Sequence, residues 1–142
     1  MKNVLKTSLL VSLFAVFAMS CIEEHYVNEA WVFAEEYNVG TDYPWRYDDF
    51  YDLFYCTVPV KELTAQIYDE GILAAYIVYY VDGEKKDSPL PYSEFFIDNK
   101  GYQWSHQYTC EFSPGKVTFI FRDSNYAISN PPSQTFVVKM MR

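Results

Sequence analysis

The sequence is poor in basic residues, and this limits the partners that the protein can bind. Its 142 residues include 11 Lys and Arg against 19 Asp and Glu, which gives a formal net charge of -8 at pH 7. Nucleic acids and anionic lipid surfaces both require a basic patch on the protein that binds them. The charge balance therefore argues against both classes of partner.

The motifs of several enzyme classes are also missing. No G-x-S-x-G, H-E-x-x-H, paired C-x-x-C or glycine-rich phosphate loop occurs in the chain, so nucleophilic, zinc and nucleotide chemistry have no sequence support. There are two histidines, His25 and His106, and we interpret His106 as a packing residue of a strand. We predict no catalytic residue, no metal and no cofactor. A hydrolase with an unrecognised carboxylate site is the alternative.

No apolar run of the chain reaches the length of a membrane-spanning helix. Residues 9–18 form an apolar run preceded by two lysines, and this run is shorter than the roughly 20 residues of a membrane-spanning helix. A short basic segment, an apolar core and small residues after it are typical of a secretory signal. We predict a signal peptide over residues 1–20. Its removal lowers the basic count from 11 to 9 against 19 acidic residues, so the net charge becomes about -10.

Cysteine is scarce, with three residues in the chain. Ser20-Cys21 resembles the end of a bacterial lipobox, in which the cysteine is lipidated and becomes the first residue. Ordinary signal cleavage would cut the same bond, because Ala18 and Ser20 match the small-x-small pattern. If Cys21 carries lipid, Cys56 and Cys110 remain as an even pair for a disulfide in an oxidising compartment. Two separate buried thiols are equally compatible with the sequence.

Aromatic residues are abundant, and their spacing predicts strands. They make up 20% of the chain, which favours strands over helices. Residues 101–112 alternate strictly between two faces, a turn signal occupies residues 113–116, and the alternation resumes in residues 117–122. This pattern predicts a β-hairpin with one buried face on each strand. The apolar positions of its first strand are Tyr102, Trp104, His106, Tyr108, Cys110 and Phe112.

Further strands are predicted over residues 29–37, 53–60, 72–81, 92–97 and 135–141, with a short helix between Leu63 and Gly71. Six or seven strands with at most one short helix indicate an all-β fold, an antiparallel β-sandwich of immunoglobulin-like architecture. No Trp follows Cys56 at the required spacing, so a true immunoglobulin domain is not predicted. We expect a lipidated cysteine and tether over residues 21–26 and a single domain over residues 27–142.

One polar segment, residues 40–52, combines aromatic and charged side chains. Such a mixture can stack on a sugar ring and hydrogen-bond its hydroxyl groups, or it can anchor a protein partner. The alternative is that the aromatic residues cap one end of the sandwich while the acids stay solvated. The candidate ligand-binding residues are Tyr43, Trp45, Arg46, Tyr47, Asp48, Asp49 and Tyr51.

Several short motifs resemble those of the small uncharacterised secreted proteins and surface lipoproteins of the Bacteroidetes. They are Val58-Pro59, Leu63-Thr64, Asp69 with Gly71, residues 72–76, Leu90-Pro91-Tyr92 and the closing run T-F-V-V-K-M. In that group, acidic residues soon after the lipidated cysteine resemble a signal for export to the outer face, and Glu23 and Glu24 occupy that place. The resemblance implies an extracytoplasmic outer-membrane lipoprotein, and it implies no activity.

From these observations we predict a non-enzymatic, lipid-anchored accessory module at the outer membrane. We expect the protein to contact the membrane through its lipid anchor. The expected partner is a glycan or an outer-membrane protein.

Overall fold

A computed structural model describes residues 32–126 and 130–142 of the protein. These residues form two antiparallel sheets that pack face to face, with one short helix, so the predicted all-β sandwich is confirmed. The described part contains nine strands, two more than the upper expectation. The elements are β1 Val32–Val39, β2 Arg46–Asp48, β3 Leu53–Pro59, α1 Ala65–Glu70, β4 Ile72–Val81, β5 Glu84–Pro89, β6 Tyr92–Ile97, β7 Gln103–Ser113, β8 Lys116–Asp123 and β9 Gln134–Met141.

The strand order places sequentially distant segments side by side. The four-stranded sheet has the order β1-β9-β4-β5, and the five-stranded sheet has the order β2-β3-β8-β7-β6. The second sheet contains a β6-β7-β8 meander, and the predicted β7-β8 hairpin within it closes with the pair Ser113↔Lys116. Gly115 of this turn has a φ of +80°, a conformation that glycine adopts without steric cost. β3 pairs with β8 on the other side of the meander.

The core lies between the two sheets and is built from alternate residues of each strand. β8 contributes Val117, Phe119 and Phe121, all fully buried, as the period-two pattern predicts. β9 contributes Phe136, Val138 and Met140 from the opposite sheet, also at alternate positions. The rings of Phe119 and Phe136 stack with centroids 4.3 Å apart, so this pair joins the two sheets directly.

The helix α1 is confirmed and has recognisable signals at both ends. The Thr64 side chain accepts a hydrogen bond from the Ile67 backbone N–H, as an N-cap does. The Gly71 N–H donates to the Ile67 carbonyl oxygen, and a Cβ at Gly71 would lie 2.5 Å from that oxygen. Glycine is therefore required where the helix ends and β4 begins.

Two strands were not expected from the sequence. Residues 84–89 lie outside the strands predicted from the sequence, but they form β5, which pairs with β4 through the two-residue turn Asp82-Gly83. Both turn residues have positive φ angles, as tight hairpin turns require. The three-residue β2 pairs with β3 and closes the end of the second sheet.

The Cys56–Cys110 disulfide is not formed, and both residues are free thiols. Cys56 on β3 and Cys110 on β7 both pair in register with Phe119, so the whole of β8 lies between them. Two strand spacings amount to about 10 Å, whereas bridged cysteines have Cα atoms within about 7 Å of each other. Of the other alternative, two separate buried thiols, the separation agrees with the fold, and Cys56 is buried while Cys110 is only partly buried.

The predicted signal peptide, Cys21 and the tether lie outside the described residues. The only helix of the described residues has six residues, and no helix there is long and apolar enough to cross a membrane.

Candidate functional site

The turn between β2 and β3 is held by its own acidic side chains. The Asp48 carboxylate accepts hydrogen bonds from the backbone N–H groups of Phe50 and Tyr51, at 3.0 and 3.1 Å. The Tyr47 hydroxyl donates to the Asp52 carboxylate at 2.6 Å. Asp52 itself has a φ of +52°, which turns the chain into β3. These contacts hold the rings of Tyr47 and Tyr51 at one end of the five-stranded sheet.

A cavity of about 250 Å³ opens at this end of the sheet. The last registered pair of β3 and β8 is Phe54↔Phe121. Beyond this pair, β3 leads back to the β2-β3 turn and β8 leads on to the segment that follows it. The walls of this first cavity are Tyr47, Asp52, Phe54, Phe121, Arg122, Asp123 and Tyr126.

A second cavity of about 330 Å³ adjoins the first. It shares Asp52, Arg122, Asp123 and Tyr126 with the first cavity. Its remaining walls are Tyr51, Gln107 and Ser124. We call the two cavities together the β3-β8 cleft.

The charged groups of the cleft differ in the partners they have. The Asp52 carboxylate accepts the Tyr47 hydrogen bond, and this contact raises the pKa of the Tyr47 phenol above its usual value. The Asp123 side chain is only 5% exposed, and its carboxylate accepts a hydrogen bond from the Asn125 backbone N–H. Arg122 makes no side-chain hydrogen bond or ion pair with the residues that the structure describes. Its guanidinium donors are therefore available to a ligand.

His106 lies beside the cleft and is packed rather than open. Its ring contacts Phe96 at a centroid distance of 4.6 Å and Phe121 at 5.2 Å, and its Nε2 atom is 4.0 Å from Asp123 Oδ1. The aromatic contacts continue from Phe96 to Trp104 at 5.4 Å. This environment agrees with the packing role inferred from the sequence.

The candidate residues from segment 40–52 do not converge on one site. Tyr47 and Tyr51 line the β3-β8 cleft. Trp45 instead packs against Phe121 and Phe136, with ring centroids 6.2 and 6.4 Å away, and its indole N–H donates to the Pro132 carbonyl oxygen at 3.2 Å. Trp45 thus caps the sandwich, as the alternative interpretation of the segment expected.

The other candidates lie elsewhere on the same segment. Tyr43 is half-buried, with its ring 6.0 Å from that of Tyr37. Arg46 and Tyr43 line a separate cavity of about 210 Å³ together with Pro44, Tyr55, Cys56 and Thr57. The Asp48 carboxylate accepts hydrogen bonds from backbone N–H groups of the β2-β3 turn. Asp49 is exposed and lines none of these three cavities.

No pattern in the sequence groups the segment after β8 with residues 40–52. Arg122, Asp123 and Tyr126 enter the cleft because β8 pairs with β3. The signal that could have found them is the polar run at residues 122–125, which ends a strongly apolar strand. Strand ends that meet at one edge of a sheet commonly carry binding residues.

The chemistry available to the cleft is that of aromatic rings, two carboxylates and one guanidinium. No group of three or more His, Cys, Asp and Glu residues within 32–126 and 130–142 is arranged to hold a metal ion. Comparison of the chain with protein-family models, with curated proteins and with solved structures finds no match.

Proposed function

We propose that this protein is a non-enzymatic, lipid-anchored extracytoplasmic module at the outer membrane that binds glycan in the β3-β8 cleft. One observation carries the proposal: the same cavity is lined by Tyr47, Asp52, Asp123 and Arg122, whose guanidinium has no side-chain partner among the described residues. A sugar ring presents apolar C–H faces and a rim of hydroxyl groups. Aromatic side chains pack against the C–H faces, while charged donors and acceptors hydrogen-bond to the hydroxyl groups.

The proposed binding is tested by electrophoresis in native gels that contain starch, xylan or mannan. We expect at least one of these polysaccharides to retard the wild-type protein. Tyr47→Ala should lose the retardation, because it removes a ring that lines the first cavity. The matched control is Tyr80→Ala, since Tyr80 is 69% exposed on β4 and lines neither cavity of the cleft. Full retardation of Tyr47→Ala would contradict the assignment of the cleft.

A protein partner is the second candidate, and the tip of the β2-β3 turn favours it. Phe50 and Tyr51 are 82% and 65% exposed, and their rings contact each other edge to face at 4.8 Å. Exposed aromatic pairs of this kind are typical anchors of protein interfaces. This candidate predicts that no polysaccharide retards the wild-type protein. It also predicts that a specific protein is captured from intact cells by the anchored wild type and lost with Phe50→Ala.

The rival hypothesis from another class is a hydrolase, because Asp52 and Asp123 line the same cavity. A carboxylate pair beside a bound glycan is the arrangement that glycoside hydrolysis uses. The two hypotheses are distinguished by incubating the purified domain with the polysaccharide that retards it. Release of reducing sugar that disappears in Asp123→Asn would replace binding with catalysis as the function.

The anchor is tested separately from the cleft. The proposal requires Cys21 to carry lipid, so Cys21→Ala should move the protein from the membrane fraction to the soluble fraction. The signal-peptide features of residues 1–20 support export, and Cys21 supplies the attachment point. Equal membrane association of Cys21→Ala and wild type would show that lipid on Cys21 does not hold the protein.

A further inference from the structure

We infer that the β3-β8 cleft binds two consecutive sugar units of a neutral glycan, one in each cavity. The inference rests on the proposed function and specifies the ligand of the same site. Asp52, Arg122, Asp123 and Tyr126 line both cavities. A linkage between two sugars would therefore cross these shared residues.

The sizes of the cavities favour one ring in each. The first volume, about 250 Å³, lies below the range for small-molecule sites, which is about 300–1,000 Å³, and the second, about 330 Å³, lies at its lower end. Neither cavity alone has room for an extended oligosaccharide. Because the cavities adjoin, a chain can continue from one into the other.

The two cavities offer different contacts to their sugar. The first has the rings of Tyr47 and Phe54 in its wall and so offers aromatic faces, while Phe121, which also lines it, is fully buried. The second has the exposed ring of Tyr51 beside the polar side chains of Gln107 and Ser124. Tyr51 does not line the first cavity, so its removal should affect only the second sugar.

The charge of the cleft favours a neutral ligand. Asp52 and Asp123 carry two negative charges against the single positive charge of Arg122, and the whole chain has a net charge of -8. A uronic acid or a sulfated sugar would be repelled by this excess. Neutral hydroxyl groups can satisfy both signs, since they donate to the carboxylates and accept from the guanidinium.

The test measures how well short sugars release the protein from the polysaccharide that retains it. The competitors are glucose, maltose and maltotriose for starch, or the corresponding one-, two- and three-unit sugars of xylose for xylan and of mannose for mannan. We expect the disaccharide to compete at a concentration at least about tenfold lower than the monosaccharide. The trisaccharide should improve on the disaccharide by less than about threefold, because the third unit lies outside the cleft.

Variants separate the two cavities. Tyr51→Ala should remove the advantage of the disaccharide over the monosaccharide. Tyr47→Ala should weaken binding of all three sugars, while Tyr80→Ala should change none. Tyr51 and Tyr80 are both largely exposed, so neither change threatens the fold.

The outcomes that overturn the inference differ from those that overturn the proposed function. Failure of all three neutral polysaccharides to retain the wild type contradicts glycan binding itself. Retention with equal competition by mono- and disaccharide contradicts only the two-unit site, as does a requirement for three units before any competition occurs. Retention on polygalacturonate as strong as on the neutral polysaccharide contradicts the assigned ligand charge.

Discussion

The contact between Phe119 and Phe136 should account for a large share of the stability of the sandwich. The two fully buried rings come from opposite sheets and stack with an interplanar angle of 13°. Phe136 also contacts the rings of Trp45 and Tyr108, at centroid distances of 6.4 and 6.1 Å. Phe136→Ala removes all three aromatic contacts and leaves a cavity between the sheets.

The expected magnitude follows from the complete burial of the ring. A buried Phe→Ala change typically lowers the free energy of unfolding by about 3–5 kcal/mol, because transfer free energy is lost and the cavity collapses only in part. Domains of this size have a total of about 5–15 kcal/mol. The substitution should therefore remove about a fifth of the stability or more.

The measurement is urea denaturation followed by circular dichroism. With a urea dependence of about 2 kcal/mol per molar, Phe136→Ala should lower the midpoint by about 2 M. The matched control is Phe95→Ala, since Phe95 is 83% exposed on β6, and its midpoint should move by less than about 0.3 M. A loss below about 1 kcal/mol for Phe136→Ala, or equal losses for both variants, would refute the assignment of this pair to the core.

Three further predictions concern the thiols, the tyrosines and Trp45. When the protein is unfolded without reductant, Cys56 and Cys110 should both react with a thiol reagent, and a disulfide in this sample would contradict the strand register. In the folded protein Cys110 should react slowly at pH 8, because burial raises its pKa to about 11. Burial raises the pKa of both Tyr108 and Tyr37 in the folded protein. Near pH 10 these tyrosines lose their protons in the unfolded protein but keep them in the folded one. The urea midpoint should therefore fall between pH 9 and pH 11, and a constant midpoint would contradict this. Trp45→Ala should lower the free energy of unfolding by about 2–3 kcal/mol through lost packing, whereas an unchanged urea midpoint would return Trp45 to the list of surface binding residues.

The strands that could be predicted from the sequence are those whose pattern is set by burial along the strand itself. β4 occupies Ile72–Val81, as its continuous apolar run indicated. β8 buries Val117, Phe119 and Phe121 at alternate positions because one of its faces meets the other sheet. In both cases the local sequence contains all the information that the strand requires.

β5 could not be predicted in this way because it has no buried face. It lies at the edge of its sheet, and its residues are mostly exposed and charged. Lys85 of β5 pairs with Glu36 of β1, and Lys139 of β9 reaches Asp87 of β5 at 3.5 Å. Charged side chains are common on edge strands because they discourage pairing with other chains. Only the turn at Asp82-Gly83 carried a signal for this hairpin.

The candidate site was predicted in part, for a related reason. The composition of residues 40–52 indicated a candidate binding segment that includes Tyr47 and Tyr51. Composition alone cannot distinguish an exposed ring from one that turns inward. Trp45 turns inward because its indole N–H meets the Pro132 carbonyl oxygen, 87 residues away in the chain. Arg122 joins the cleft through the pairing of β3 with β8, which no local pattern reveals.

The position of β9 has a consequence for the order in which the molecule can form. This strand comes last in the chain order of the nine, yet it lies between β1 and β4 and pairs with both. β1 and β4 do not pair with each other, so neither has its main partner until residues 134–141 are present. Such distant pairing slows folding, because long loops must close before the contacts form. A ribosome-bound chain that has not yet released β9 would contain only the β4-β5 hairpin of this sheet and would stay open to a chaperone.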